Sequence, residues 1–381
     1  MLVRARLAKQ PTSRAVVKLG TMTTHASTTR ASRSGLPTIL LDCDPGIDDA
    51  YALFYLSALH YAREINLVGV TTTAGNTTVE NTARNAAWVL AHCTPTAPRG
   101  APAGATSMHA AAISPIPVAM GHPTPLELEL ETTPETHGLT GLGYATSIWP
   151  GTVGSDAPGH GVRLGSQWQD IWEHALRTHD DVHLIITGPA TNAAVFAQEH
   201  PELFARFSAI TVMGGAINYP GNTTPTAEWN FWVDPHAARQ LFEVAPVPIT
   251  LCSLGVTEQM LLTPARLREL QNQIPGTTWS GLLEEITRFY FEFHDGVGEG
   301  YQAQIHDLLT VMIALGAVDT IGTTTCVAVE ADSELFRGTS VADVKNHWGR
   351  EPNARVVREA DISAAFAELN RAARLAAGYL R

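Results

Sequence analysis

Along this chain, short apolar β-branched runs alternate with amphipathic stretches of helical period. TILLDCD reads as a strand and DDAYALFYLSALHYA as the helix after it; INLVGVTTT and VENTARNAAWVLAHC repeat the pair. Between residues 94 and 165 the rhythm stops, in a stretch rich in Pro, Gly, Thr and Ala. A loop that long inside a compact domain is usually functional or mobile. The rhythm resumes with SQWQDIWEHALRTH as a helix. VHLIITG, SAITVMGGAI and VPITLCSL follow as strands, with DPHAARQLFEV as a helix between the last two. From about Thr263 the pattern turns helical through PARLRELQNQ, SGLLEEITRFYFEFHDG and HDLLTVMIALGA. A short strand pair is expected at TCVAVEAD and TSVAD, then a last helix near Asp361–Tyr379. This alternation predicts an α/β fold, an open and mostly parallel sheet with helices on both faces.

In such a sheet, ligands sit beyond the carboxyl ends of the strands. The polar residues that follow each strand therefore carry the chemical information. After the first strand come Asp42, Asp44, Asp48 and Asp49, four aspartates within eight positions. After the second comes Asn76, after the third Thr187 and Gly188, and after the fourth Met213, Gly214 and Gly215. These segments are expected to converge on one crevice.

Composition narrows the setting. The chain has 381 residues, 45% of them apolar, enough to bury a sizeable core. A net charge of −12 argues against nucleic acid and anionic membranes as partners, and no apolar stretch reaches membrane-spanning length. The four cysteines are far apart and form no CxxC pair, so a reducing, cytoplasmic location is expected. Residues 1–36 stand apart, with seven Lys and Arg, many Ser and Thr, and no acid. They lack the apolar core of a signal peptide. They read as a disordered or non-native extension, with a transit peptide as the other reading, and residues 37–381 read as a single domain.

Four carboxylates so close would repel one another, and at least one should hold a proton unless something offsets the charge. Pro45-Gly46 forces a turn, and Asp48 and Asp49 then fall at the start of a helix, where its dipole favours carboxylates. That leaves Asp42 and Asp44 unexplained. A hard cation with several oxygen ligands would explain them, and Ca²⁺ tolerates irregular spacing better than Mg²⁺ does. Far downstream, IHDLL opens an apolar helix with His306 and Asp307. Alone this is an N-cap; beside a cation, Asp307 becomes a further ligand and His306 a positioned acid. In AEWNFWVDPHAA, alternation as a strand would put Glu228 and Asn230 on one side and the aromatics on the other, either a half-exposed strand or a grip for a polyol. THGLTGLG, with His137, is a glycine-rich loop that reads as a lid or as plain surface.

Taken together, DCDPGIDDA, AGN, ITGPATN, VMGGA, GNTTPTAEWNFWVDP and HD resemble, in order, the motifs of the inosine–uridine-preferring nucleoside hydrolases. The resemblance runs from about Leu36 to the C-terminal helix. It implies a Rossmann-like sheet, a Ca²⁺ ion at its carboxyl end, and hydrolysis of the N-glycosidic bond of ribonucleosides. By motif position it implies Asp44 as general base and ligand, with Asp49, the Thr187 carbonyl and Asp307 as further ligands. Asp48 and Asn76 would hold ribose hydroxyls, Asn222 and Glu228 the 5′-hydroxyl, Asn230 the ribose, and Met213 would pack under it. His306 matches the leaving-group acid, His137 would sit near the nucleobase, and Asp42 would orient its neighbours. Family members are dimers or tetramers, so a homodimer or homotetramer is expected. The sequence departs from the family at Leu139, where many members carry a polar residue, and in the Pro/Ala-rich stretch 106–134, both on the base-recognition side.

Two other readings compete. A haloacid-dehalogenase-like phosphatase also begins with D-x-D after its first strand. It needs Thr or Val where Gly46 stands, and it leaves the Asp48-Asp49 pair unexplained. A non-catalytic nucleoside- or ribose-binding protein on the same fold would have no need of Asp44.

Overall fold

The computed structural model describes residues 23–26, 35–95, 116–145, 163–165 and 167–380. Among these residues, ten strands form one sheet. Across it they run Thr23–Ala26, Thr320–Thr325, Ala354–Ala360, Ile249–Cys252, Phe207–Met213, Val182–Ile186, Thr38–Cys43, Asn66–Thr72, Pro117–Met120 and Arg163–Gly165. The last eight are mutually parallel; the first two join antiparallel at one edge. Thr38–Cys43 is buried throughout, in keeping with its central apolar run Ile39–Leu41.

Helices cover both faces. Ile47–Tyr61, Val79–Cys93, Thr278–Gly296, His306–Ala314 and Ile362–Ala377 share one apolar core, which includes Tyr51, Phe54 and Trp279. Trp168–Thr178, Thr191–Glu199 and Pro235–Val244 share the other, built around Trp172, Phe196 and Phe207. The predicted α/β architecture is therefore the observed one.

The strand order reverses at Thr38–Cys43. The strands next in sequence lie on one side of it and those from Val182 onward on the other. That reversal opens a crevice at the carboxyl end of this strand, where Asp44 stands.

Several local expectations change. AEWNFWVDPHAA is not a strand: Trp229–Val233 is a short helix. Glu228 caps it, with its carboxylate accepting from the amides of Asn230 and Phe231. Hence Phe231 is buried with Asn230, rather than on an opposite exposed side. Strands Thr320–Thr325 and Ala354–Ala360 carry Thr, Arg and Gly in place of long apolar runs, and the hydrophobic pattern did not reveal them. The expected short pair is present, Val327–Val329 against Ser340–Ala342. The irregular stretch contributes the two parallel strands at the edge beyond Asn66–Thr72 and the short helix Pro134–His137; much of the remainder lies outside the described residues. Of residues 1–36, the backbone of Thr23–Ala26 pairs with Thr320–Thr323 at the sheet edge, and most of the others lie outside the described residues.

Candidate active site

Beyond the carboxyl ends of the central strands lies a cavity of about 580 Å³. Asp48, Asn76, His137, Thr187, Met213, Asn222, Glu228, Asn230, His306 and Asp307 all line it. Ten of the sequence-predicted site residues thus meet there, from seven separate segments. Asp44 and Asp49 are fully buried beside them, and Asp42 lies further back.

The turn after Thr38–Cys43 sets the acidic group. Gly46 precedes the helix Ile47–Tyr61, and its amide donates to Oδ2 of Asp49 at 3.0 Å. Oδ1 of Asp49 accepts the Thr187 hydroxyl at 2.9 Å. Asp49 is thus both helix cap and site residue. Carboxylate oxygens of Asp48, Asp49 and Asp307 lie within 4.8 Å of one another, all three residues buried. Two unit charges that close repel by at least roughly 3 kcal/mol at an effective dielectric near 20. Burial, then the neighbouring charges, raises Asp44 and Asp307 well above the usual carboxylate range. Burial likewise brings Asp48 to about 6 and Asp49 to about 7. Without a positive charge, this group must hold protons to stay neutral enough to bury.

Asp44 is oriented from both sides. Its Oδ2 accepts the Asn76 amide at 2.8 Å, and the Asn76 side chain returns to the Asp44 carbonyl at 3.1 Å. Its Oδ1 is buried with no partner among the described residues. Glycines let the chain approach this closely: a Cβ on Gly75 would stand 2.1 Å from Oδ2, and one on Gly188 2.7 Å from Oδ1. An orphaned buried carboxylate oxygen, three further buried carboxylates and an all-oxygen donor set fit a hard divalent cation.

Asp42 bonds to neighbours outside this group through one oxygen, and its Oδ2 is buried without a partner among the described residues. Its Oδ1 accepts the Thr71 hydroxyl at 2.6 Å and the Asn192 amide at 2.7 Å, while the Trp172 indole donates to the same hydroxyl at 3.0 Å. Burial raises it to about 7. It ties the central strand to its neighbour and to the helix Thr191–Glu199.

The opposite wall is a polar cradle. Glu228 accepts from the Asn230 amide at 2.8 Å and the Gly215 amide at 2.9 Å, and burial still raises it to about 7. The Asn230 side chain donates to the Thr187 carbonyl at 2.9 Å and the Met213 carbonyl at 3.3 Å. Exposed Asn222, at the rim, accepts the Trp229 amide at 3.0 Å.

The remaining wall is aromatic and histidine-rich. His137 accepts the Ile47 amide on Nδ1 at 3.1 Å, which tethers its loop to the helix that carries Asp48 and Asp49. His306 places Nδ1 2.9 Å from the Thr257 hydroxyl. Burial lowers both imidazoles to about 3. Sequence reasoning overlooked Tyr290, Phe293, His294 and Glu299 here, along with Tyr219 and Glu258 at the mouth. The i, i+4 spacing of Tyr290 and His294 was the available signal, but an aromatic stripe on an apolar helix reads first as core.

Comparison with known proteins agrees. The model of the inosine-uridine preferring nucleoside hydrolase family matches residues 39–367. The pyrimidine-specific ribonucleoside hydrolase RihA of Salmonella paratyphi C is 32% identical over 327 residues, which cover 85% of this chain and 94% of that protein. RihA of Shewanella sp. (strain MR-7) is 34% identical over 327 residues, 84% of this chain and 90% of its own. Among solved structures, a purine-preferring ribonucleoside hydrolase from Gardnerella vaginalis superposes with a TM-score of 0.73 at 24% identity, covering 89% of this chain and 99% of that one. An inosine-uridine preferring nucleoside hydrolase from Bacillus anthracis gives 0.63 at 17%, covering 89% and 100%. With this architecture, these motifs and this acidic crevice, the chain belongs to the inosine-uridine preferring nucleoside hydrolase family and hydrolyses the N-glycosidic bond of ribonucleosides.

Proposed function

We propose that this hydrolase is calcium-dependent, with Asp44 as the general base and with Asp44, Asp49, the Thr187 carbonyl and Asp307 as the protein ligands of the ion. The observation that carries this reading is the unpartnered, fully buried Oδ1 of Asp44 next to three more buried carboxylates. A bound Ca²⁺ would offset their charge, acidify a water and hold ribose hydroxyls. Every other task falls to the chain itself. Asp44, held by the Asn76 amide, takes the proton of the attacking water as the oxocarbenium-like state develops at the sugar. Asp48 and Asn76 accept and donate to the ribose hydroxyls, fixing the ring over that water. Glu228 and Asn222 receive the 5′-hydroxyl, Asn230 orients the ribose, and Met213 packs beneath it. Asp42 holds the strand end in register. His306, positioned by Thr257, hydrogen-bonds the departing base, and His137 closes the base side.

Pyrimidine ribonucleosides are the first substrates to try, because relatives more than 30% identical are named pyrimidine-specific. Four buried, free cysteines support a reducing, cytoplasmic setting, and the family resemblance supports a homodimer or homotetramer. The deciding experiment measures ribose release from uridine, cytidine, inosine, adenosine and guanosine, with chelator and with Ca²⁺ restored. Loss under chelation and recovery with Ca²⁺ is expected. Full turnover in excess chelator would refute the calcium assignment, and no release from any of the five would refute the substrate class.

A further inference from the structure

On the base-side wall, His294 stands in an arrangement that the roles above leave unused. It lies on the helix Thr278–Gly296, is 4% exposed, and lines the cavity. Its Nδ1 meets Oε2 of Glu299 at 2.7 Å. The turn after the helix makes this pairing local, since the Glu299 amide donates to the His294 carbonyl at 2.9 Å. Gln304 also donates to Oε2, at 3.1 Å, which fixes the carboxylate. A carboxylate only accepts, so Nδ1 carries a proton and Nε2 is left as the functional end of the ring. That Nε2 is buried without a partner among the described residues. Leaving a buried polar atom unmatched is costly, and a bound base would supply the match.

The neighbours define what this end can reach. The Tyr290 ring packs between His137 and His294, with centroids 5.3 and 4.6 Å away. His306, on the same cavity, has a neutral hydroxyl behind its Nδ1, whereas His294 has a carboxylate. Burial lowers His294 from the ordinary imidazole value, and the Glu299 carboxylate opposes this by favouring the imidazolium that a donor must start from; a hydroxyl does so far less.

We propose that His294, oriented by Glu299, is a second proton donor to the departing nucleobase, acting alongside His306. In this step the C1′–N bond breaks and its electron pair passes to the base. Starting from imidazolium, the proton on Nε2 moves to a heteroatom of the base, leaving His294 neutral and still donating through Nδ1 to Glu299. Water oxygen bonds to C1′, its proton goes to Asp44, and His294 is reprotonated from solvent. Glu299 is a positioning residue, acting through the imidazole that it orients. The inference rests on the proposed site roles, and the test separates the two.

The test compares nucleosides with p-nitrophenyl β-D-ribofuranoside, whose phenolate departs without a proton. His294→Phe should lower kcat for uridine and inosine by ~10²-fold and change the nitrophenyl riboside less than about threefold. Glu299→Gln, which keeps the shape and removes the charge, should show the same split at about 10-fold on nucleosides. Equal losses on both substrate types would overturn the proposal, as would unchanged nucleoside turnover, or a leaving-group-dependent loss confined to His306→Phe. If His294→Phe does not fold, His294→Gln and Glu299→Gln decide by the same split. Asp44→Asn should lower turnover of both substrate types by ~10²–10⁴-fold. If it does so while the His294 variants show no split, only this proposal fails; if it does not, the site roles themselves fail.

Discussion

The main-chain amide of Asn76 donates to Oδ2 of Asp44 at 2.8 Å, while Oδ1 of the same carboxylate is buried with nothing to accept from among the described residues. One oxygen is fixed and the other held in reserve. This asymmetry suits a group that must keep its orientation while it binds a cation and takes a proton.

Asp44→Asn should therefore lower kcat by ~10²–10⁴-fold, the usual contribution of a general base. Asp48→Asn should cost less, with more of its effect in KM, because Asp48 is assigned to the sugar. Steady-state ribose release from both variants checks the order; near-normal turnover in Asp44→Asn would sink the assignment.

Gly75→Ala tests the space around Asp44 and leaves its chemistry intact. The new Cβ would meet Oδ2 at 2.1 Å, so the carboxylate must move. Displacements of this size cost on the order of 10²-fold in turnover. The expected result is that loss, with weakened Ca²⁺ affinity by calorimetry and retained far-ultraviolet circular dichroism.

Calcium should also stabilise the fold. A ligand at 100 times its Kd adds about 2.7 kcal/mol to the native state, which in a domain this size corresponds to a Tm increase of roughly 3–4 °C. Thermal scans with chelator and with Ca²⁺ measure this directly, and Asp307→Asn should shrink the difference. An unchanged Tm on adding Ca²⁺ would contradict the cation cage.

Asp42→Asn should weaken the enzyme without abolishing activity. Its carboxylate binds Thr71 and Asn192 and makes no contact with the cavity. Supporting residues of this kind are typically worth about 10–100-fold in metal affinity or activity. A loss as deep as that of Asp44→Asn would show that Asp42 reaches the chemistry itself.

Glu228 makes a prediction about pH. Burial raises it from 4.5 to about 7, so between those values the folded protein holds a proton that the unfolded chain has released. Its contribution is present at low pH and is lost as pH rises through about 7. In that window Glu228→Gln should flatten the fall of stability with pH by up to about 1.4 kcal/mol per pH unit, one proton's worth. Denaturant melts of both proteins from pH 4.5 to 7.5 measure the slopes, and parallel slopes would contradict the raised value.

The sequence alone determined the strand–helix alternation, and with it the parallel sheet. The apolar run Ile39–Leu41 calls for burial on both faces, and the Pro45-Gly46 turn puts the following aspartates at a helix start. Local pattern and motif order were enough for the family and for the polar residues beyond each strand. They were not enough where a residue's state depends on distant partners. Trp229–Val233 reads as an alternating strand until Glu228 is seen capping it through the Asn230 and Phe231 amides. The edge strands Thr320–Thr325 and Ala354–Ala360 are held by pairing more than by apolar pattern. Above all, only the tertiary structure brought Asp307 within reach of Asp48 and Asp49, and turned His294 and Tyr290 from a core stripe into a cavity wall. Those contacts join segments far apart in the chain, and which of them form depends on how the sheet twists and the helices pack, information that no short window of sequence contains.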